Sequence, residues 1–201
     1  MLARVYLASN KQAEALAKLE TVLSKNPKDT AALMQVAMIQ SQAKNYTAAR
    51  DACEKLLAVN PQFGPALNNL AYLYAEQFNQ LDKAFELARK GKDLAPQDPY
   101  TADTLGWIVY KRGDYPWALS LLHESATKMP STAEVLYHLG MTHYMMGEED
   151  PARTALQRAV QLSADFPGRD EAARCLNCWP ATPMRPIPRR WKRPWRSIPK
   201  T

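Results

Sequence analysis

The chain has 201 residues, seven glycines, three cysteines and a formal net charge of +6. A chain of this size can bury a hydrophobic core without disulfides or metals, and none of its apolar runs is long enough to span a bilayer. These features exclude a fold that depends on disulfides and a chain that crosses a membrane, and no signal peptide is visible after Met1.

A pattern with a period of 34 or 35 residues runs through the chain. The pair Leu105-Gly106 recurs 34 residues later as Leu139-Gly140. Three earlier copies hold, at the same position, Leu70-Ala71, Val36-Ala37 and Leu2-Ala3. A fixed period in this range is typical of helical repeat arrays.

The second half of each copy agrees with this frame. A small residue recurs where two helices would cross, at Ala15, Ala49, Ala84, Ala118 and Ala152. A proline follows twelve residues after four of these alanines, and it marks the end of a helix because proline cannot lie inside one. Each copy therefore predicts two amphipathic helices that stack on neighbouring copies. We expect ten helices in five hairpins over residues 1–166, with no β-strand.

The first copy is shorter than the others. The repeat frame places several residues before Leu2 that are not in the sequence. We therefore expect the chain to begin inside a repeat, and a naturally abbreviated first helix is the alternative.

The repeat pattern ends near residue 166. Pro167 and Gly168 predict a break, and Asp170-Glu171 favour the start of a new helix. This helix cannot continue past Pro180. We expect a partial capping helix over residues 167–177.

Residues 178–201 carry most of the excess positive charge. From Cys175 onward there are seven Lys or Arg and no Asp or Glu, so the preceding residues hold 19 basic and 20 acidic side chains. Basic residues interleaved with Trp179, Trp191 and Trp195 could bind nucleic acid or an anionic membrane surface. Six prolines also fit a disordered tail without function. A frameshift in a GC-rich gene would produce the same composition, and all three interpretations remain open.

The sequence contains no recognisable catalytic or metal-binding motif. Cys175 and Cys178 form a C-x2-C pair, but zinc requires four ligands and no second pair exists. The histidines, His123, His138 and His143, have no ligand-like spacing relative to these cysteines. We therefore predict a protein that is not an enzyme and needs no cofactor.

Five copies in register resemble the tetratricopeptide repeat. The family pattern Leu-Gly-x2-Tyr…Ala-x3-Phe…Pro is represented by Leu105, Gly106, Val109, Ala118, Leu122 and Pro130. The resemblance implies an all-α fold, a right-handed α-solenoid of five helical hairpins over residues 1–166. It also implies that the first helices form a concave face that binds a peptide segment or a partner helix.

The resemblance places on this concave face a set of residues rich in methionine and aromatic side chains, which are favoured at interfaces. They are Met34, Met38, Asn68, Asn69, Tyr72, Trp107, Tyr110, Tyr137, Met141, Tyr144 and Met145. We expect five of them to be substantially solvent-accessible and to face one groove, namely Tyr72, Trp107, Tyr110, Met141 and Tyr144. The alternative is that such side chains pack between neighbouring first helices.

Two binding modes of the family can be compared with this face. In one mode, a clamp of Lys, Arg and Asn side chains binds a carboxylate. This sequence has Asn68 at one clamp position, but it has Asp103 and Tyr137 at positions where the clamp needs cations. A ladder of asparagines that holds a peptide backbone is represented by Gln35, Asn69, Thr104 and His138. The clamp is therefore not expected, whereas these polar residues are compatible with a degenerate ladder.

The partner and the location follow from the same resemblance. We expect a protein or peptide partner rather than nucleic acid, and a passive spacer in a longer solenoid is the alternative. Residues 66–115 are also similar to large bacterial tetratricopeptide lipoproteins of exopolysaccharide export and PEP-CTERM protein sorting. That narrower similarity would imply a periplasmic or membrane-anchored parent with a role in envelope assembly; without it, the default expectation is cytoplasmic.

Overall fold

The computed structural model describes residues 2–177, with side-chain surroundings from residue 12 onward. Within that range the chain is α-helical and contains no β-strand. The helices are α1 (Leu2–Lys25), α2 (Thr30–Gln42), α3 (Tyr46–Val59), α4 (Gly64–Glu76), α5 (Leu81–Leu94), α6 (Pro99–Lys111), α7 (Tyr115–Lys128), α8 (Ala133–Met146), α9 (Glu149–Leu162) and α10 (Arg169–Asn177). The all-α prediction is confirmed, and none of the described helices has the length and hydropathy needed to cross a membrane.

The chain divides into two compact units between residues 94 and 95, and their described parts are residues 2–94 (unit 1) and residues 95–177 (unit 2). In unit 1 the hairpins α2–α3 and α4–α5 stack through α3 and α4, and α1 packs against α2. In unit 2 the hairpins α6–α7 and α8–α9 stack through α7 and α8, and α10 packs against α9 and α8. Each unit therefore has the layered helical hairpins of an α-solenoid. The basic tail with Cys178 and its three tryptophans lies outside the described residues.

The first hairpin is not formed, and this part of the prediction is wrong. α1 runs without a break from Leu2 to Lys25 through the position where each later copy turns. The expected turn, near Asn10, would leave only about two helical turns to fold back, which is too short to form a stable helix by itself. Ala15 is only half-buried, whereas the equivalent alanines of the later repeats are fully buried.

The later hairpins turn at residues with a left-handed backbone. Lys44, Asn79, Gly113 and Gly147 all have positive φ angles, from 50° to 89°. They lie between the two helices of each hairpin, where the chain must reverse direction. The asparagine and glycines tolerate this conformation because of their short or absent side chains.

Aspartates begin several of the helices. Asp29 accepts a hydrogen bond from the backbone N–H of Ala32 at 2.9 Å, and Asp98 accepts one from Tyr100 at 2.8 Å. Such caps satisfy backbone donors that have no partner within the helix, and they fix where α2 and α6 start.

The helix crossings are closely packed. The four alanines predicted at the crossings of the later repeats, Ala49, Ala84, Ala118 and Ala152, have no exposed surface. Cys53 is also fully buried in the crossing region of α3, and burial raises the pKa of its thiol to about 11. Cys53 is therefore a small core residue, as its helical position indicates.

Candidate partner-binding site

Five of the predicted site residues lie in unit 1. Met34 and Met38 are four residues apart and share one side of α2, and Asn68 and Tyr72 hold the equivalent positions of α4 one repeat later. Asn69 is next to Asn68. We call the surface formed by Met34, Met38, Asn68, Asn69 and Tyr72 the unit 1 face.

The unit 1 face remains accessible. Met38 is 48% exposed, which is high for a large apolar side chain. The other four residues are half-buried. Met34 also packs against the buried cluster of Leu33, Leu56 and Ala66. The prediction of an accessible Tyr72 therefore holds only in part.

The carboxamide of Asn68 has an unusual environment. Its Oδ1 atom is shielded from solvent and has no hydrogen-bond partner among the described residues. A buried acceptor left without a donor costs about 1–3 kcal/mol. The atom is therefore a local cost to stability, and a donor from another chain does not reach it while the side chain keeps this position.

The equivalent surface in unit 2 is largely closed. Trp107, Tyr137 and Met141 are only 7%, 3% and 4% exposed. The prediction that Trp107 and Met141 are substantially solvent-accessible is therefore wrong. These side chains pack between helices, which was the alternative interpretation.

Stacking between first helices buries Trp107. Its ring lies 4.6 Å from the ring of Tyr110 and 4.1 Å from that of His138, and both pairs are close to parallel. Tyr137 packs against it at 5.5 Å with a tilted ring. Offset contacts of this kind stabilise beyond the area they bury, so Trp107 and Tyr137 are used within the chain.

Helix α10 covers Tyr137 and Met141. The hydroxyl of Tyr137 donates to Glu171 Oε2 at 2.7 Å, and the Met141 sulfur lies 3.9 Å from Cys175 Sγ. Ala172 joins the same buried cluster. Helix α10 thus occupies the end of the predicted groove.

A buried aspartate–histidine pair also joins α6 to α8. His138 Nδ1 lies 3.0 and 3.1 Å from the two carboxylate oxygens of Asp103, and His138 is 2% exposed. Asp103 is where a carboxylate clamp would need a cation, and His138 is at a position of the degenerate ladder. Because they contact each other, neither side chain is available to a peptide without breaking this pair.

The sequence carried a signal for these contacts that the prediction did not use. Asp103 with His138, Tyr137 with Glu171 and Met141 with Cys175 are each separated by 34 or 35 residues. That distance is one repeat to within one residue, so side chains at the same or a neighbouring position of adjacent helices meet. Complementary residue types one repeat apart therefore indicate intramolecular pairing.

The remaining predicted residues of unit 2 are Tyr110, Tyr144 and Met145, all half-buried. Burial, together with the negative charge of Glu171, raises the pKa of the Tyr110 phenol. Its hydroxyl therefore stays protonated further into the alkaline range than that of an exposed tyrosine. Among the described residues no group of three or more His, Cys, Asp or Glu side chains is placed to hold a metal ion.

Family models described as tetratricopeptide repeat match residues 1–65, 42–99 and 134–165. A TPR repeat-containing protein of Pseudomonas aeruginosa is 30% identical over 135 residues, which cover 67% of this chain and 23% of that protein. The matched region therefore spans about a quarter of the length of this relative.

Solved structures share the fold at low sequence identity. YrrB, described as a TPR protein with an unusual peptide-binding site, is 20% identical with a TM-score of 0.61 over 86% of this chain and 88% of that one. PilW, described as a type IV pilus biogenesis factor, is 19% identical with a TM-score of 0.69 over 88% and 83%. A thermophilic TPR protein of Thermus thermophilus is 20% identical with a TM-score of 0.65 over 88% and 96%. Because the family models together match well over half of a chain built from helical hairpins, this protein belongs to the tetratricopeptide repeat family.

Proposed function

We propose that this protein binds a peptide segment of a partner on the unit 1 face. The fold is that of a protein–protein interaction scaffold, and proteins of this family are generally non-catalytic. YrrB, whose fold is shared, is described as having a peptide-binding site. Binding at the first helices of unit 1 is consistent with that description and with the residues available here.

The observation that carries the proposal is the exposure of Met38 beside half-buried partners. Met38, Tyr72, Trp107 and Met141 hold the same position in four successive repeats. The last two are buried by stacking and by α10, whereas Met38 keeps 48% of its surface in solvent. A flexible thioether in this setting can adapt to different partner side chains.

Unit 2 contributes less to this proposal. Tyr110, Tyr144 and Met145 stay candidate contacts because they are half-buried. Trp107, Tyr137 and Met141 are not candidates unless α10 and the aromatic stack rearrange. The basic tail gives the other candidate function, and no described residue favours it.

The proposal can be tested with an array of 12-residue peptides probed with the full chain. We expect Met38→Ala and Tyr72→Ala to weaken binding by about 5- to 30-fold, because truncated hot-spot residues cost about 1–2 kcal/mol. Tyr100→Ala is the matched control, since Tyr100 is a highly exposed aromatic residue in unit 2.

Two further measurements separate the unit 1 face from the tail. Deletion of residues 178–201 should leave peptide binding intact, and added salt should change it little, because electrostatic binding through a basic tail weakens steeply with salt. Failure to bind any peptide, unchanged binding by both alanine variants, or loss of binding on tail deletion would contradict the proposal.

A further inference from the structure

Helix α10 occupies the position that the first helix of a further repeat would take. It packs against α9 and α8, just as α8 packs against α7 and α6. Subtracting 34 from its residue numbers places it at positions 135–143, which lie within α8. The contacts of Tyr137 with Glu171 and of Met141 with Cys175 follow the same offset. α10 is therefore a first helix stacked on the last complete hairpin.

α10 is shorter than the helices whose position it repeats. α8 has 14 residues and α2, α4 and α6 have 13 each, whereas α10 has nine. The position one repeat after Met145 is 179, which is two residues beyond the end of α10 at Asn177. Met145 itself, in the last turn of α8, is half-buried. The surface that a first helix can cover is therefore longer than α10.

Few buried side chains hold α10 in place. Only Ala172 of its nine residues is buried, whereas each other helix of unit 2 has four or more buried residues. The Nε atom of Arg169 is shielded from solvent without a hydrogen-bond partner among the described residues, which opposes docking. A nine-residue helix is also too short to be stable alone in water, so docking must offset the entropy lost on ordering it. Among the described elements of unit 2, α10 should therefore open most readily.

The surface beneath α10 is apolar and aromatic. Tyr137 and Met141 of α8 and Leu156 and Ala159 of α9 form one buried cluster with Ala172. Opening of α10 would bring tyrosine and methionine side chains into contact with water, and these residue types are enriched at protein interfaces. An apolar patch that opens in this way is typical of a binding surface.

The contacts of α10 show which shape fits this surface. Glu171, Ala172, Cys175 and Leu176 have the spacing of one helical face, and all but Glu171 belong to or pack against the buried cluster. An extended peptide would send neighbouring residues to opposite sides. Because α10 is tethered, it competes at an effective concentration on the order of 1 mM. A helix with one more turn would have an advantage over it, since that turn also covers Met145.

From these observations we propose that the surface of α8 and α9 beneath α10 is a docking site for an amphipathic helix of a partner protein. α10 occupies this site until the partner helix displaces it. The partner helix is as long as α6 or α8, at 13 or 14 residues. It presents a carboxylate to Tyr137, a small side chain at the position of Ala172 and an apolar side chain over Met145. The site consists of unit 2 residues and does not rest on the function proposed for the unit 1 face.

The test measures the binding of two labelled helical peptides to the full chain by fluorescence anisotropy. The short peptide has the sequence of residues 166–177, and the long peptide extends it by one helical turn of Ala and Leu. We expect the long peptide to bind at least about tenfold more tightly, because it buries an additional apolar side chain against Met145. Equal affinities of the two peptides would contradict the proposed partner length and overturn the proposal.

One substitution should act in opposite directions in the chain and in the peptide. Ala172→Glu in the full chain should release α10, because a carboxylate at a fully buried position is unfavourable. It should then tighten the binding of both peptides by about tenfold or more, since the tethered competitor is removed. The same substitution in the long peptide should abolish its binding. Arg174→Ala, on the exposed side of α10, is the matched control and should bind both peptides like the wild type.

Hydrogen exchange shows whether α10 has left its site. Exchange should become fast in α10 of the Ala172→Glu chain, and the long peptide should cause the same change in the wild type while α8 stays protected. The proposal is overturned if α10 stays protected in both Ala172→Glu and Gly168→Ala, or if it is released and neither peptide binds. Met38→Ala should not change the binding of these peptides, so failure at this site leaves the unit 1 face to be decided by its own test.

Discussion

At the scale of single residues, two glycines determine how closely the helices of unit 2 approach. A Cβ atom added at Gly106 would lie 2.8 Å from Cγ of Leu122, and one at Gly140 would lie 2.8 Å from Leu156. Both leucines are fully buried and cannot move aside freely. The glycine of each Leu-Gly pair is therefore needed because the helices pack too closely for a larger side chain.

We expect Gly106→Ala to destabilise the protein by about 1–3 kcal/mol, the usual cost of overpacking a core. The matched control is Gly64→Ala, because a Cβ atom at Gly64 meets nothing within 4 Å. Urea unfolding followed by circular dichroism measures both variants. Equal unfolding midpoints for Gly106→Ala and the wild type would show that the crossing at Leu122 is looser than the distances indicate.

At the scale of elements, α10 decides which part of the first-helix surface is closed. Gly168 precedes it with φ at +87°, and a Cβ atom there would lie 2.2 Å from the ring of Tyr137. The exposed side chains of α10 are polar and include Asp170, Glu171 and Arg174. A short helix with a polar outer side protects the apolar residues of α8 from water.

We expect Gly168→Ala to loosen α10, because alanine is strained at this φ and clashes with Tyr137. Tyr137→Phe should have a smaller effect in the same direction, since it removes only the hydrogen bond to Glu171. Hydrogen exchange should then be faster in α10 and in the end of α8 that it covers. Arg174→Ala, on the outer side of α10, is the control and should exchange like the wild type; faster exchange in that variant as well would mean that α10 is weakly held for another reason.

At the scale of the whole molecule, both units contain tyrosines that must stay protonated. Burial, with the hydrogen bond to Glu54, raises the pKa of Tyr74 to about 12 in unit 1. Burial also raises the pKa values of Tyr110 and Tyr115 in unit 2. In the unfolded chain each phenol ionises near its usual pKa of about 10.

The free energy of unfolding should therefore depend on alkaline pH. A raised pKa in the folded state stabilises the protein fully below the unfolded pKa, and this contribution is lost as the pH rises through the folded pKa. We expect constant urea midpoints up to about pH 10 and a progressive decrease toward pH 12 and above. Tyr110→Phe should make the decrease shallower, whereas a decrease that starts below pH 9 would show that other groups control it.

Much of the fold follows from the sequence alone. The 34-residue period, the alanines at the crossings and the prolines at the repeat ends determine four helical hairpins and their stacking, because each feature acts through local backbone and packing constraints. The repeat period predicted the wrong structure only for α1, which is one continuous helix instead of a hairpin. There the residues around the expected turn continue as helix instead of reversing direction.

The accessible part of the candidate site was decided by tertiary structure. Met38, Trp107 and Met141 occupy one repeat position, so sequence reasoning gave them the same role. Their exposure differs because the rings around Trp107 stack on it and α10 covers Met141, while Met38 has neither contact with the residues that the structure describes. Repeat position determines the direction in which a side chain points, but burial depends on which neighbour fills the space in front of it.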